Sequence, residues 1–403
     1  MAHSQRDVIL LFSARSVRLF AYGCLSVVLA LYLHATGLTG QTIGLLFTLT
    51  LVGDAGISLW ITTTADRIGR KKMLLLGAGL MVMAGVVFAT TGNIVLLMIA
   101  GIIGVISPSG NEIGPFLSLE QAALSQLLPS EQRTKAFAWY NLAGSLAAAA
   151  GALAGGFLSQ SLKYAGYAEL ESYRAVILGY AACGLVLIAL FLFLSHDVEA
   201  LASTTVSKRV LGLHRSKGVV LKLSALFALD AFAGGFVIQS MVAYWFHIKF
   251  GLDAGALGSI FFGANILAGF SALLAVRLAN RIGLISTMVY THIPSNLLLC
   301  LVPFMPTAGT AVFVLLLRFS ISQMDVPTRQ SYTMAVVSPD ERSAASGVTT
   351  IARSIGASIS PALAGVLLAS PALIGAPFLV AGGLKIVYDL LLYRSFQKAD
   401  IRS

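Results

Sequence analysis

Long apolar runs alternate with short polar connections from one end of the chain to the other. A helix that crosses a bilayer needs roughly 20 mostly apolar residues. Six such runs fill the first half, at 9–34, 43–64, 73–91, 94–118, 136–159 and 174–195. Six more follow at 219–247, 254–276, 284–304, 308–331, 345–369 and 372–393. The runs are continuous and rich in Ala, Leu and Gly, without the period-two alternation of a barrel strand, so they predict helices. One connection stands apart. His196 to Gly218 is polar and basic, with Lys208, Arg209, Arg215 and Lys217, and it separates residues 1–195 from 219–403. The pattern predicts an all-α integral membrane protein of twelve transmembrane helices in two six-helix halves.

Composition strengthens this reading. Hydrophobic residues make up 57% of the 403 positions and charged residues 11%, against about 25% charged in a soluble domain. A soluble enzyme, a secreted disulfide scaffold and a nucleic-acid-binding domain are excluded. The formal net charge of +10 is explained by where the cations fall. Arg67, Arg70, Lys71 and Lys72, then Arg133 and Lys135, the central loop, Arg277 with Arg281, and Arg342 occupy alternate connections. The opposite connections hold only Lys163, Arg174 and Lys249. Positive-inside bias places both termini and the central loop in the cytoplasm, with anionic lipid as the partner of these cations. Arg6 and Asp7 precede a run too long for a signal peptide, which reads as the first span. Cys24, Cys183 and Cys300 lie far apart in apolar runs and read as packing residues.

The two halves repeat each other. Ala65-Asp66-Arg67-Ile68-Gly69 after span 2 matches Ala279-Asn280-Arg281-Ile282-Gly283 after span 8. Pro129-Ser130-Glu131-Gln132-Arg133 after span 4 matches Pro339-Asp340-Glu341-Arg342 after span 10, and at that offset Gly156 falls on Gly365. Matches at two equivalent hairpins indicate a duplicated six-helix unit, a common transporter plan.

Gly53-Asp54 followed by Asp66-Arg67-Ile68-Gly69-Arg70-Lys71-Lys72 resembles the loop 2–3 signature of the major facilitator superfamily, and the resemblance covers essentially the whole chain. Gly151-Ala152-Leu153-Ala154-Gly155-Gly156 in span 5 is similar to the Gly-Pro-x-x-Gly-Gly motif of the superfamily's drug antiporters, with Ala152 in the proline position. Span 11 keeps the proline in Ser360-Pro361-Ala362-Leu363-Ala364-Gly365. Span 4 departs from the proton-coupled exporters in lacking their arginine. The resemblance implies a rocker-switch carrier with its site at mid-membrane. It also implies a conformational latch of Asp54, Asp66, Arg67 and Arg70, with Glu120 at the end of span 4 as a partner for Arg70. Gly151, Gly155, Gly156, Pro361 and Gly365 are expected at close helix contacts, where small side chains let backbones approach.

Ionisable residues inside spans are costly and mark partners or cavities. The acidic ones are Asp54, Glu112, Glu120, Asp230, Asp325 and Asp389; the basic ones are Arg15, Arg18, Arg318, Arg329, Arg353 and Lys385. Lys385 and Asp389 stand one turn apart in span 12 and read as a structural pair. The resemblance places spans 1, 4, 7 and 10 around the cavity, which selects Arg15, Arg18, Glu112, Asp230, Arg318 and Asp325 as substrate or proton-pathway residues. Glu112 sits in Pro108-Ser109-Gly110-Asn111-Glu112-Ile113-Gly114-Pro115, too rich in Pro and Gly for regular helix, and Pro327 predicts a kink in span 10. His34 and His247 lie at equivalent outer ends of spans 1 and 7.

No metal-ligand spacing, nucleophile elbow or phosphate loop is present, so neither an enzyme nor an ATP-driven pump is expected. The expected function is secondary transport of a small organic molecule by a monomer in the plasma membrane. No cofactor is expected. A proton gradient working through Glu112 with Asp230 or Asp325 is the expected drive, and export the expected direction. The alternatives are an organic-anion exchanger or facilitated-diffusion carrier without proton coupling, and a transport-dead sensor.

Overall fold

The computed structural model describes residues 2–111, 115–199, 215–338 and 341–396. The first half contains α1 (Ala2–Ala35), α2 (Gly40–Ile68), α3 (Arg70–Thr90), α4 (Ile94–Ile103), α5 (Phe116–Leu127), α6 (Ser130–Tyr164) and α7 (Glu169–Leu192). The second contains α8 (Lys217–Gly235), α9 (Gln239–Phe250), α10 (Ala254–Ile282), α11 (Leu284–Leu301), α12 (Ala308–Phe319), α13 (Asp325–Val336), α14 (Arg342–Leu368) and α15 (Ala376–Phe396). Ten helical segments are long and apolar enough to cross a bilayer, α8 and α9 together forming one of them. Spans 4 and 10 are each assembled from two shorter helices, α4 with α5 and α12 with α13, so the described residues form twelve spans.

The distribution of side chains is that of a bilayer protein. Trp60, Phe157, Phe270 and Phe313 are exposed, whereas Arg18, Glu120, Asp230 and Asp389 are buried. A soluble fold would reverse both. Lipid accepts the first group, and the second is tolerated only because each charge finds a partner.

The repeated sequence motifs are turn chemistry. Gly69 joins α2 to α3 with φ at 117°, and Gly283 joins α10 to α11 with φ at 91°. That region of backbone space carries a steric penalty for side chains, so both hairpins use glycine. Each glycine N–H closes the preceding helix, donating to the Ala65 carbonyl at 2.8 Å and the Ala279 carbonyl at 2.9 Å. The second motif works through its arginine. Arg133 Nε donates to the Leu128 carbonyl at 3.1 Å, and Arg342 Nε donates to the Met334 carbonyl at 2.9 Å. Both satisfy carbonyls that a helix C-terminus leaves open.

Both broken spans supply substitutes for lost helical bonds. Between α4 and α5, Ser107 Oγ donates to the Asn111 carbonyl at 2.8 Å, and the Tyr180 hydroxyl from α7 donates to the Val105 carbonyl. Freed backbone groups inside a membrane require such partners. In span 10 the interruption covers residues 320–324 and precedes Pro327. The expected interruption at Pro327 is present, because in a continuous helix its ring would clash with the carbonyl of Gln323, inside the break. Pro327 occupies the first turn of α13, where a missing N–H costs nothing.

Two compact units are present. One comprises residues 1–39, 49–206 and 242–262; the other comprises 40–48, 207–241 and 263–403. Each holds a buried network of charge among the described residues.

Candidate functional site

In the first unit, α1 presents Arg18 to Glu120 on α5. The guanidinium grips the carboxylate with two bonds, Nη1 to Oε1 at 2.7 Å and Nη2 to Oε2 at 2.8 Å, and both residues are fully buried. The Tyr140 hydroxyl from α6 donates to the same carboxylate, and the Arg18 guanidinium lies 4.6 Å from the Phe116 ring centre. Arg15, one turn earlier, covers the Tyr140 ring at 4.3 Å and donates to Asn141 Oδ1 at 3.2 Å. Gly144 makes room for it, since a Cβ there would fall 2.6 Å from Arg15 Nε.

In the second unit the equivalent positions carry the opposite signs. Asp230 on α8 stands where span 1 has Arg18, and Arg329 on α13 stands where span 4 has Glu120. Arg329 Nη1 donates to Asp230 Oδ2 at 3.2 Å and to Asp325 Oδ2 at 2.9 Å. Asp230 collects two more cations, Lys385 Nζ on Oδ1 at 2.5 Å and Arg353 Nη1 on Oδ2 at 3.3 Å. Arg318 lies within electrostatic reach of both carboxylates, with its guanidinium 5.0 Å from the Phe319 ring centre. Beside this group, Asp389 interacts with His292 Nδ1 at 2.8 Å and accepts from Asn296 Nδ2 at 3.0 Å.

Two expected pairings are corrected by this geometry. Lys385 and Asp389 do not bond each other; one turns to span 7 and the other to span 9, where each bonds a buried side chain. Glu120 is not the partner of Arg70. Glu120 lies about 9 Å deeper along its helix than Gln126, and Arg18 occupies it. Arg70 instead donates to Gln126 Oε1 at 3.2 Å and to the Val198 carbonyl at 3.4 Å.

The start of α3 is capped from the far end of the half. Glu199 accepts the backbone N–H of Arg70 at 2.6 Å and of Lys71 at 3.3 Å, which ties the beginning of the central loop to the loop 2–3 motif. A carboxylate at a helix N-terminus satisfies open N–H groups and the helix dipole together. This cap has no local sequence signal, since the partners are more than a hundred residues apart. Arg67 is exposed, Asp54 Oδ1 accepts from Ser58 Oγ at 3.4 Å, and the Asp66 side chain lies outside the described residues. Glu112 also lies outside them.

The glycine positions are sites of backbone contact. A Cβ on Gly151 would fall 2.0 Å from the Phe20 carbonyl oxygen, and one on Gly155 would fall 2.7 Å from Cys24 Cα. A Cβ on Gly156 would fall 2.3 Å from the Ala254 carbonyl oxygen and 2.9 Å from Gly258 Cα; one on Gly365 would fall at the same two distances from the Gly40 carbonyl oxygen and Gly44 Cα. The Pro361 carbonyl oxygen lies 2.3 Å from the Cβ position of Gly44. The outer-end His34 Nδ1 lies 3.4 Å from the Tyr244 hydroxyl.

Twelve spans, a duplicated unit and charge buried within each half define a membrane transporter. The family profile described as Major Facilitator Superfamily matches residues 11–361, and the chain belongs to that superfamily. It is a multi-pass membrane transporter of small molecules and not an enzyme. Over 99% of its length it is 29% identical to 96% of the uncharacterized membrane protein YJR124C of Saccharomyces cerevisiae. A 170-residue stretch, 42% of this chain and 40% of the relative, is 26% identical to the quinolone resistance protein NorA of Staphylococcus aureus. Among solved structures, a variant of the nucleoside transporter NupG superposes with a TM-score of 0.78. It shares 13% identity over 96% of this chain and 99% of its own, a likeness of fold alone.

Proposed function

We propose that this transporter carries a small organic solute bearing an oxyanion group by alternating access across the plasma membrane. It acts as a monomer, with both termini and the central loop in the cytoplasm. One observation carries the anionic assignment. Around Asp230, four cations (Arg318, Arg329, Arg353 and Lys385) face three carboxylates, Asp230, Asp325 and Asp389. Buried charge needs compensation, and a solute carboxylate or phosphate supplies it. Guanidinium groups suit such ligands because their planar fork matches two oxygens. Arg18 in the first unit is matched by Glu120 through paired bonds in a fully buried contact, so Arg18 is assigned a structural role.

The proton gradient is the proposed drive and Glu112 the proposed proton carrier, with Asp325 or Asp230 as a second titrating group. Export is the proposed direction, supported by the partial likeness to NorA and the glycine-rich turn of span 5. Reconstituted protein loaded with candidate organic acids tests the reading. An imposed pH gradient should drive accumulation, and Glu112→Gln should abolish that accumulation while solute exchange continues. Exchange that ignores the pH gradient in the unaltered protein would favour an anion exchanger without proton coupling.

A further inference from the structure

Of the three cations on Asp230, Arg353 is the least committed. Arg329 is shared with Asp325, and the side chains of Arg329 and Lys385 are 9% and 10% exposed. The Arg353 side chain is 35% exposed, and its contact with Asp230 is the longest of the three, through one nitrogen only. With Arg318 counted among the cations and Asp389 among the carboxylates, four cations face three carboxylates, and setting Arg353 aside leaves three of each. It therefore carries the surplus charge of the group.

Its surroundings give that surplus a direction. Arg353 is the twelfth residue of α14, about 17 Å from the helix start and so near mid-membrane. A partly exposed arginine side chain at that depth is expected to border a polar cavity rather than lipid, where the cost of its charge is prohibitive. The backbone fixes its anchorage. Gly356, nearly one turn further on, packs so closely that a Cβ would fall 2.2 Å from the Ala228 carbonyl oxygen, holding α14 against the turn of α8 that carries Asp230. The carboxylate end is thus anchored, and Nη1 is the one Arg353 nitrogen bonded to it.

We infer that Arg353 takes the oxyanion of the solute, exchanging its single bond to Asp230 for a two-pronged bond to a carboxylate or phosphate. This rests on the anionic reading above. When the solute binds, Asp230 keeps Lys385 and Arg329, so no buried carboxylate is orphaned; when the solute leaves, Asp230 takes Arg353 back. Arg353 is in this sense a specificity residue, whereas Arg329 and Lys385 hold the counter-ion in place.

The test uses purified full-length protein and thermal unfolding. Mono- and dicarboxylic acids and phosphate monoesters are each run beside the neutral amide or alcohol of the same skeleton. Unaltered protein should gain several degrees with at least one acid or phosphate and none with its neutral counterpart; which class succeeds separates carboxylate from phosphate solutes. Arg353→Gln should fold with an unchanged or raised melting temperature and lose the ligand shift, and Arg353→Lys should retain only part of it. If the shift survives in Arg353→Gln but disappears in Arg318→Gln, the anionic reading stands and the assignment to Arg353 is overturned. If no acid or phosphate stabilises the unaltered protein, the anionic reading falls and the inference with it.

Discussion

Replacing Arg18 with methionine strands the Glu120 carboxylate in a place no water reaches. Both partners are fully buried and joined by two bonds of 2.7 and 2.8 Å. Breaking such a pair from one side costs about 3–5 kcal/mol, because the remaining charge keeps its desolvation penalty. The lost contact with the Phe116 ring adds roughly 1 kcal/mol. For a unit of this size each kcal/mol lowers Tm by about 2–4 °C, so a fall on the order of 10 °C is expected. Glu120→Leu should cost a similar amount by stranding the guanidinium.

The decisive variant removes the whole group. Arg18→Met, Glu120→Leu and Tyr140→Phe together delete the charges and the hydroxyl that bonds them, leaving no polar orphan from this set. Apolar replacement of a complete buried pair is often neutral or stabilising. The triple variant should therefore unfold near the original temperature and still transport. Unfolding of purified protein in detergent, read as a mutant cycle, measures the coupling. If either single substitution costs less than about 1 kcal/mol, the pair is not a closed buried strut and the structural role assigned to Arg18 fails.

Two further outcomes follow from geometry already described. Gly156→Ala and Gly365→Ala each push a methyl group to within 2.3 Å of a facing carbonyl oxygen, whereas at Gly179 there is open space; the first two should lose about 1–3 kcal/mol and slow flux, with Gly179→Ala unchanged in both. In a protein freed of its three cysteines, a single cysteine at Gln132 should resist an impermeant maleimide added outside intact cells, and one at Tyr167 should react. The reverse pattern would invert the proposed orientation.

The parts legible in the sequence are those governed by neighbours along the chain. The runs of apolar residues are long enough to specify helices, the Pro- and Gly-rich stretch at 108–115 announces the break in span 4, and the repeated glycines at 69 and 283 mark tight hairpins. Partner choice was not legible. Lys385 and Asp389 have the spacing of an intrahelical pair, yet each bonds a buried partner on another span. Arg70 and Glu120 have complementary charge but stand at different depths. The break at 320–324 was legible in Pro327, whose ring would clash with the Gln323 carbonyl of a continuous helix. Its extent was not, because Ser320 and Ser322 are equally compatible with a helix whose polar side faces a cavity.

Sign reversal between the halves makes their responses to substitution differ in kind. In the first unit one cation meets one carboxylate, so deleting either leaves one stranded charge at comparable cost. In the second, Asp230 holds three cations and Asp325 helps with only one of them. Deleting Arg353 leaves Asp230 with two partners and brings the group to neutrality, so Arg353→Gln should be close to neutral for stability. Asp230→Asn leaves Arg329, Arg353 and Lys385 with a single carboxylate between them, and the loss should reach about 3–5 kcal/mol, as for a broken buried pair. Adding Lys385→Met to Asp230→Asn should restore part of that loss, because it removes the more buried of the two cations left without a bonded carboxylate. Melting temperatures of the three variants rank them without any knowledge of the solute. An Asp230→Asn protein as stable as Arg353→Gln would show that the cations compensate one another through solvent, and the positive surplus on which anion recognition rests would not exist.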